Sequence, residues 1–302
     1  MKVRSILEII GKTPHILLSR LFPNHKVWMK LERNNPGGSI KDRIALSMIE
    51  DAEDKGILKK GYIIVEPTSG NTGVGLAMVA TVKGYRIILV MPDSMSIERR
   101  KLFSIFGAKF VLTSGEKGMK GAIEKAEELV NTIPYSWMPK QFQNESNIMI
   151  HKKTTGKEIL ESFPNGIDYF ITGVGTGGHI TGIGEILKNK FPKIKIFSVE
   201  PIESAVIFGG LPNTHSIQGI GAGFIPPVLN KKILDGTFLV SKEKSYDFVR
   251  RIAKKEGLLV GISTGASLSA INDNLNKFSK NSVILTINYD NGERYLSVND
   301  LF

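Results

Sequence analysis

The sequence has no cysteine among its 302 residues. Disulfides, thiol nucleophiles and cysteine-ligated metals are therefore excluded. Its histidines, His15, His25, His151, His179 and His215, are scattered, and none forms a metal-ligand pair at helical spacing. A metal enzyme is not expected. Long apolar runs are also missing: the longest, near Ile87 to Met91, is far too short to span a bilayer. Glu8, Gly11 and Lys12 interrupt the apolar stretch that follows Lys2 and Arg4, so no signal-peptide core forms. A soluble, cytoplasmic protein is expected. There is no internal repeat and no low-complexity segment. The net charge is +11, yet no single basic stripe carries it. Basic residues lie in short groups such as Arg99-Arg100-Lys101, Lys152-Lys153 and Arg250-Arg251, mostly on the polar faces of expected helices. That pattern reads as a solvated surface, with steering of anionic substrates or a modest acidic partner as the alternative; a nucleic-acid partner has only the net charge behind it.

What is present is an ordinary globular composition, 41% hydrophobic and 23% charged, in a chain long enough for one large domain or two smaller ones. Strand-like and helical runs alternate. Extended segments are expected at Val27–Leu31, Tyr62–Glu66, Arg86–Met91, Lys109–Leu112, Asp168–Thr172, Ile194–Val199, Thr237–Val240 and Ser282–Ile287. Helices are expected from Lys41, then at Gly73–Val82, Glu98–Phe106, Met119–Val130, Lys153–Glu161, His179–Lys190, Lys244–Glu256 and Thr264–Phe278. Tyr135–Asn147 reads as irregular. The alternation predicts an α/β fold of parallel sheets with helices on both faces, divided near residue 150.

Four loops carry chemistry. Lys41 follows Asn35-Pro36-Gly37-Gly38-Ser39-Ile40 and stands at the start of a helix whose Ile44, Met48, Ile49 and Ala52 recur at helical spacing. The positive end of the helix dipole and exclusion of water both favour a neutral amine, the form a Schiff-base lysine needs. Glu66-Pro67-Thr68-Ser69-Gly70-Asn71-Thr72-Gly73 lies between a strand and a helix; its hydroxyls, amide and N–H groups suit a carboxylate. Gly173-Val174-Gly175-Thr176-Gly177-Gly178-His179 contains a literal G-x-G-x-x-G with Glu200 at the end of the next strand, which fits a dinucleotide or a single phosphate. Gly261-Ile262-Ser263-Thr264-Gly265-Ala266 is a further strand-to-helix turn, and a plain helix cap explains it equally well. One ligand uses an imine-forming lysine, a phosphate loop, a carboxylate loop and a neutral hydroxyl: pyridoxal 5'-phosphate with a bound amino acid. A dinucleotide leaves Lys41 and the Thr68–Gly73 loop without a task.

With these loops in view, the chain resembles the cysteine synthase (O-acetylserine sulfhydrylase) and cystathionine β-synthase family of pyridoxal-phosphate enzymes of fold type II. The likeness runs from Ile10-Gly11-Lys12-Thr13-Pro14 to Gly292-Glu293-Arg294-Tyr295-Leu296-Ser297. It is most specific at Pro67–Gly73, Met95–Lys101, Lys117–Ala122 and Gln218–Pro226. The resemblance implies two domains of the tryptophan synthase β type, each an open, mostly parallel twisted sheet with helices on both faces. Residues 37–150 would form a smaller mobile domain carrying the carboxylate loop, and 1–36 plus 151–302 a larger one carrying the phosphate loop.

By the same resemblance, Lys41 would hold the cofactor as an internal aldimine and act as general base. Asn71 would meet the ring 3-hydroxyl oxygen, and Gly175, Thr176, Gly177 and Gly178, with His179, the phosphate. Ser263 would face the pyridine nitrogen, where a serine, unlike an aspartate, leaves the ring a weaker electron sink and favours prompt β-elimination over transamination. Thr68, Ser69, Gly70, Thr72 and Gln141 would bind the substrate carboxylate. The implied reaction is β-replacement through an aminoacrylate, with O-acetyl-L-serine and sulfide giving L-cysteine and acetate. A homodimer is implied, with a serine acetyltransferase as a candidate partner. The chain departs from the family at two places. The phosphate loop usually ends in Gly-Gly-Thr, and here Gly178 is followed by His179. The usual Leu-Pro-Ser-Ser is replaced by Ile287-Asn288-Tyr289-Asp290-Asn291. Both motivate a second reading, in which L-cysteine supplies the β-leaving group as hydrogen sulfide and the product is lanthionine, cystathionine or serine. A catalytically idle homologue that only binds a serine acetyltransferase tail is disfavoured by the intact Lys41, Ser263 and carboxylate loop.

Overall fold

Strands and helices alternate through most of the chain. The computed structural model describes residues 2–93 and 97–302. In chain order these comprise β1 (His15–Leu17), β2 (Lys26–Leu31), α1 (Lys41–Asp54), β3 (Ile63–Pro67), α2 (Asn71–Lys83), β4 (Arg86–Pro92), α3 (Ile97–Ile105), β5 (Lys109–Thr113), α4 (Gly118–Thr132), β6 (Ser136–Trp137), α5 (Glu145–Ile150), a π-helical turn (His151–Thr155), α6 (Gly156–Ser162), β7 (Tyr169–Gly173), α7 (Gly178–Lys190), β8 (Lys195–Pro201), β9 (Gly236–Val240), α8 (Lys242–Glu256), α9 (Ile262–Asp273) and β10 (Val283–Asn288). Among the described residues no helix is long and apolar enough to cross a membrane.

The chain divides into two compact units, Met1–Ile10 with Asn35–Ser146, and Gly11–Asn34 with Asn147–Phe302. The division falls at 34/35 and 146/147, and residues 1–10 group with the smaller unit. The smaller unit holds a four-stranded sheet in the order β5-β4-β3-β6, parallel throughout. Val65, Val90, Ala122, Ala126 and Met138 form a buried cluster on it. The larger unit holds a six-stranded sheet, β1-β2-β10-β7-β8-β9, parallel except for β1 against β2. Its central strands are apolar over most of their length, as sheets covered on both faces require: Phe170, Ile171, Ile284, Leu285 and Ile287 are almost wholly buried.

Several details differ from expectation. β1 and β6 are strands of three and two residues that only their neighbours define. The segment 135–147 ends inside α5. The helix expected to reach Phe278 stops at Asp273, followed by a 3-10 turn at Leu275–Lys277. α9 is built of small hydroxyl and apolar residues, and those from Ile262 to Ile271 are buried, so it is an internal helix. It lies so close to α8 that a Cβ at Gly265 would come within 2.2 Å of the Ser245 carbonyl.

Candidate active site

In the smaller unit, the turn before α1 wraps one carboxylate. Gly37 N–H donates to Asp42 Oδ2 at 2.6 Å, and a Cβ on Gly37 would meet the same carboxylate at 2.5 Å. Gly38 adopts φ 77°, a left-handed conformation that glycine takes without strain. Ser39 Oγ accepts from Lys41 N–H at 3.2 Å. Lys41 is the first residue of α1, as expected, and its backbone is held from the other side by α2. A Cβ at Gly75 would lie 3.1 Å from both the Lys41 carbonyl oxygen and Ala45 Cβ. The helix that begins with Asn71 therefore sets the position of the helix that begins with Lys41.

The β3–α2 loop carries the residues expected to bind a carboxylate. Thr68 Oγ1 accepts from Gly70 N–H at 3.3 Å, and Gly70 caps α2. Ser69 Oγ lies 4.0 Å from Met119 Sδ. Thr72 donates its hydroxyl to Gln141 Oε1 at 2.7 Å, so the Gln141 carbonyl is committed to Thr72 and its NH2 serves as the donor end. Gln141 is fixed in turn by a residue that the sequence did not single out. Glu66, buried at the end of β3, accepts from Lys140 N–H at 2.9 Å and Gln141 N–H at 3.1 Å. Lys140 takes φ 54° in that turn.

Burial pushes the Glu66 carboxyl up to about 7, against the two amide hydrogen bonds. Its ordinary value is 4.5. Between those two values the folded chain holds a proton that the unfolded chain has lost, so this group makes stability fall as pH rises through that window. Glu66→Gln is expected to remove that slope, checked by urea midpoints across pH 4 to 8. An unchanged slope would show that Glu66 does not titrate there.

In the larger unit, β7 runs into the glycine loop and α7. Gly177 caps α7 with φ 87°. The first amide of α7 to meet a backbone acceptor is Thr181 N–H, on Gly177 O at 3.1 Å. The amides of Gly175, Thr176, Gly177 and Gly178 ahead of it meet no acceptor among the described residues. These are the orphan donors of a helix N-terminus, and they suit a phosphate. Asn147 donates from Nδ2 to Thr176 Oγ1 at 3.0 Å, which leaves the threonine hydroxyl proton for an anion. Space is kept for the loop by its neighbours: a Cβ on Gly175 would lie 2.6 Å from Gly219 O, and one on Gly178 2.0 Å from Asn147 Oδ1.

Gly219 also borders Ser263, whose Oγ would be 3.4 Å from a Cβ there. The glycine loop and the expected pyridine partner are thus joined through one turn. Ser263 is buried in the first turn of α9. His179 stands at the second position of α7 with its Nε2 2.8 Å from Thr172 Oγ1. That nitrogen meets the end of β7. The Met95–Lys101 motif falls partly on Ser94–Ser96, which lie outside the described residues.

The residues present fit pyridoxal phosphate: a glycine cradle with unsatisfied amides, a hydroxyl aimed by Asn147, and a buried serine beside it. The chain matches the model of the pyridoxal-phosphate dependent enzymes over residues 6–290. It is 55% identical over 296 residues to a cysteine synthase of a Flavobacterium species, covering 97% of this chain and 96% of that one. Among solved structures it is similar to O-ureido-L-serine synthase, with a TM-score of 0.97 at 41% identity over 100% of this chain and 96% of that one. It is also similar to a hydrogen sulfide-producing enzyme from Fusobacterium nucleatum, with a TM-score of 0.93 at 42% identity over 98% and 100%. Glycine cradle, lysine-bearing turn and whole-chain likeness agree, and the chain belongs to the family of pyridoxal-phosphate dependent enzymes.

Proposed function

We propose that the protein catalyses β-replacement on a serine-type amino acid, taking O-acetyl-L-serine and sulfide to L-cysteine and acetate. The observation that carries this is a carboxylate loop, Thr68–Thr72 with Gln141, in the same unit as Lys41. It is joined there by an α2–α1 crossing at Gly75 that places the two helix starts side by side. The likeness to the Flavobacterium cysteine synthase over nearly the full length of both chains supports the choice of substrates.

When bound, pyridoxal phosphate supplies an imine-forming aldehyde and an electron sink that acidifies the substrate Cα–H. Lys41 Nζ takes the Cα proton and returns it to Cα after sulfide has bonded to Cβ and acetate has left. Thr68, Ser69, Gly70, Thr72 and Gln141 hold the substrate carboxylate, and Asn71 meets the ring 3-hydroxyl oxygen. Gly175, Thr176, Gly177 and Gly178 hold the phosphate. Ser263 faces the ring nitrogen as a neutral partner. The smaller unit, expected at residues 37–150, carries the amino acid, and the larger one the phosphate. The family likeness supports a cytoplasmic homodimer, with a serine acetyltransferase as a candidate partner.

A second reading has its own support. Tyr289, within the segment that departs from the usual family sequence, touches the end of β7 beside the phosphate loop. The Fusobacterium relative is named as hydrogen sulfide-producing. On that reading L-cysteine is the donor and sulfide the leaving group. Titration of the purified protein separates the two. O-acetylserine alone changing the visible band of the bound cofactor supports cysteine synthesis. The same change with L-cysteine, accompanied by sulfide release, selects the second reading. A protein without any visible cofactor band refutes both.

A further inference from the structure

The two departures from the family sequence meet in space. His179 Nε2 lies 2.8 Å from Thr172 Oγ1, and Tyr289 Oη lies 2.6 Å from the same oxygen. The two rings stand edge to face, with centroids 5.7 Å apart. Tyr289 Oη also accepts from Gly173 N–H at 2.6 Å and lies 3.0 Å from Ser267 Oγ. Ser267 accepts from Gly173 N–H at 3.2 Å and donates to the Ser263 carbonyl at 3.3 Å. Thr172 and His179 are buried, and so are Ser267 and Tyr289.

Counting protons fixes the direction of this chain. The single Ser267 proton goes to the Ser263 carbonyl, so the Tyr289 proton is the one that fills the Tyr289–Ser267 contact. Thr172 then donates to Tyr289, and His179 donates its Nε2–H to Thr172. This orientation alone puts a proton in every contact. Burial raises the Tyr289 phenol above its ordinary value, so it stays protonated at neutral pH and the direction holds. The chain starts in the first turn of α7, passes the last two residues of β7 where the glycine loop begins, and ends on the backbone of Ser263.

We propose that His179 and Tyr289 are positioning residues acting as one unit. They brace the phosphate loop against the α9 turn that carries Ser263, and they stand in place of the hydroxyl that the family's usual threonine offers the phosphate. The inference rests on the proposed use of that loop and of Ser263 by pyridoxal phosphate. The phosphate is then held by the loop amides and Thr176, while the brace sets how far the ring nitrogen lies from Ser263.

The test compares Tyr289→Phe, His179→Leu, His179→Gln and the double variant Tyr289→Phe/His179→Leu, all as full-length protein reconstituted with pyridoxal phosphate. The readouts are the dissociation constant for the cofactor, the absorbance and emission of the bound cofactor, and the thermal midpoint of the apoprotein. Tyr289→Phe and His179→Leu are each expected to weaken cofactor binding about tenfold and to shift its spectrum, the effect of losing one buried hydrogen bond. The double variant is expected to match the worse single variant, not the product of the two. His179→Gln keeps a donor near the Nε2 position and is expected to bind within about twofold of the parent. Multiplicative losses, unshifted spectra, or changes confined to the apoprotein midpoint would each overturn the proposal. Should Tyr289→Phe not fold, His179→Leu against His179→Gln decides, with equal retention counting against the brace. Failure of the parent protein to bind pyridoxal phosphate would refute the proposed function instead.

Discussion

Replacing Lys41 by alanine is expected to lower kcat/KM about 10³- to 10⁴-fold while leaving the protein folded. The size follows from the role: one group supplies both the imine amine and the proton transfers at Cα, and a positioned general base alone contributes on the order of 10²–10⁴. The fold should not notice, because Lys41 is only partly buried and opens α1, where alanine is a good helix former. The backbone contacts of the turn are made by Gly37, Asp42 and Ser39 and survive the change. Steady-state kinetics, the visible spectrum and a urea midpoint check the three parts. The variant should lose the absorbance of a lysine-bound cofactor and keep its midpoint. Turnover above about a tenth of the parent's would remove Lys41 from the chemistry and with it the proposed function.

Gly175→Ala is expected to weaken cofactor binding about a hundredfold or more, an effect near 3 kcal/mol. The added Cβ would sit 2.6 Å from the carbonyl oxygen of Gly219. Nothing flexible can yield there, since the obstacle is backbone in a turn where Gly219 itself holds φ 97°. Either the glycine loop or the 218–223 turn must move, and each borders the site. Gly178→Ala makes a useful contrast. Its Cβ meets Asn147 Oδ1 and Cγ, a side chain and not backbone, which must rotate to make room. That rotation breaks the 3.0 Å bond from Asn147 to Thr176, so a loss of about tenfold is expected, the effect of one buried hydrogen bond. Equilibrium dialysis of cofactor against the two apoproteins reads both. Equal affinities for parent and Gly175→Ala would show that the loop does not hold the phosphate.

Much of this site was legible because its chemistry sits where local sequence signals are strongest. Lys41, Asn71 and Gly178 open helices and Ser263 lies in the first turn of one, and glycine, serine and threonine collect at helix starts for reasons of capping and close approach. The parallel sheets were legible for a similar reason, as mostly apolar segments of five to seven residues between helical patterns. Strands β1 and β6 were not, since three and two residues carry no periodicity and exist only through pairing with β2 and β3. Glu66 gave one weak signal, a charge at the end of an otherwise apolar run, but its partners Lys140 and Gln141 are more than seventy positions away. The direction of His179 was likewise hidden. Position 179 adjoins the loop in sequence, yet its side chain turns back onto Thr172 of β7.

The shared hydroxyl of Thr172 has a historical consequence. A phenol and an imidazole that both bond to one oxygen, with rings in edge contact, depend on one another for partners and for packing. A tyrosine arriving first would lack the donor at the head of its proton chain, and a histidine arriving first would face a void where the ring now packs. Each single step is expected to be worse than both ends of the path. Lineages should therefore carry the pair together or not at all, and chimaeras that split positions 179 and 289 between parents should be the ones that lose cofactor.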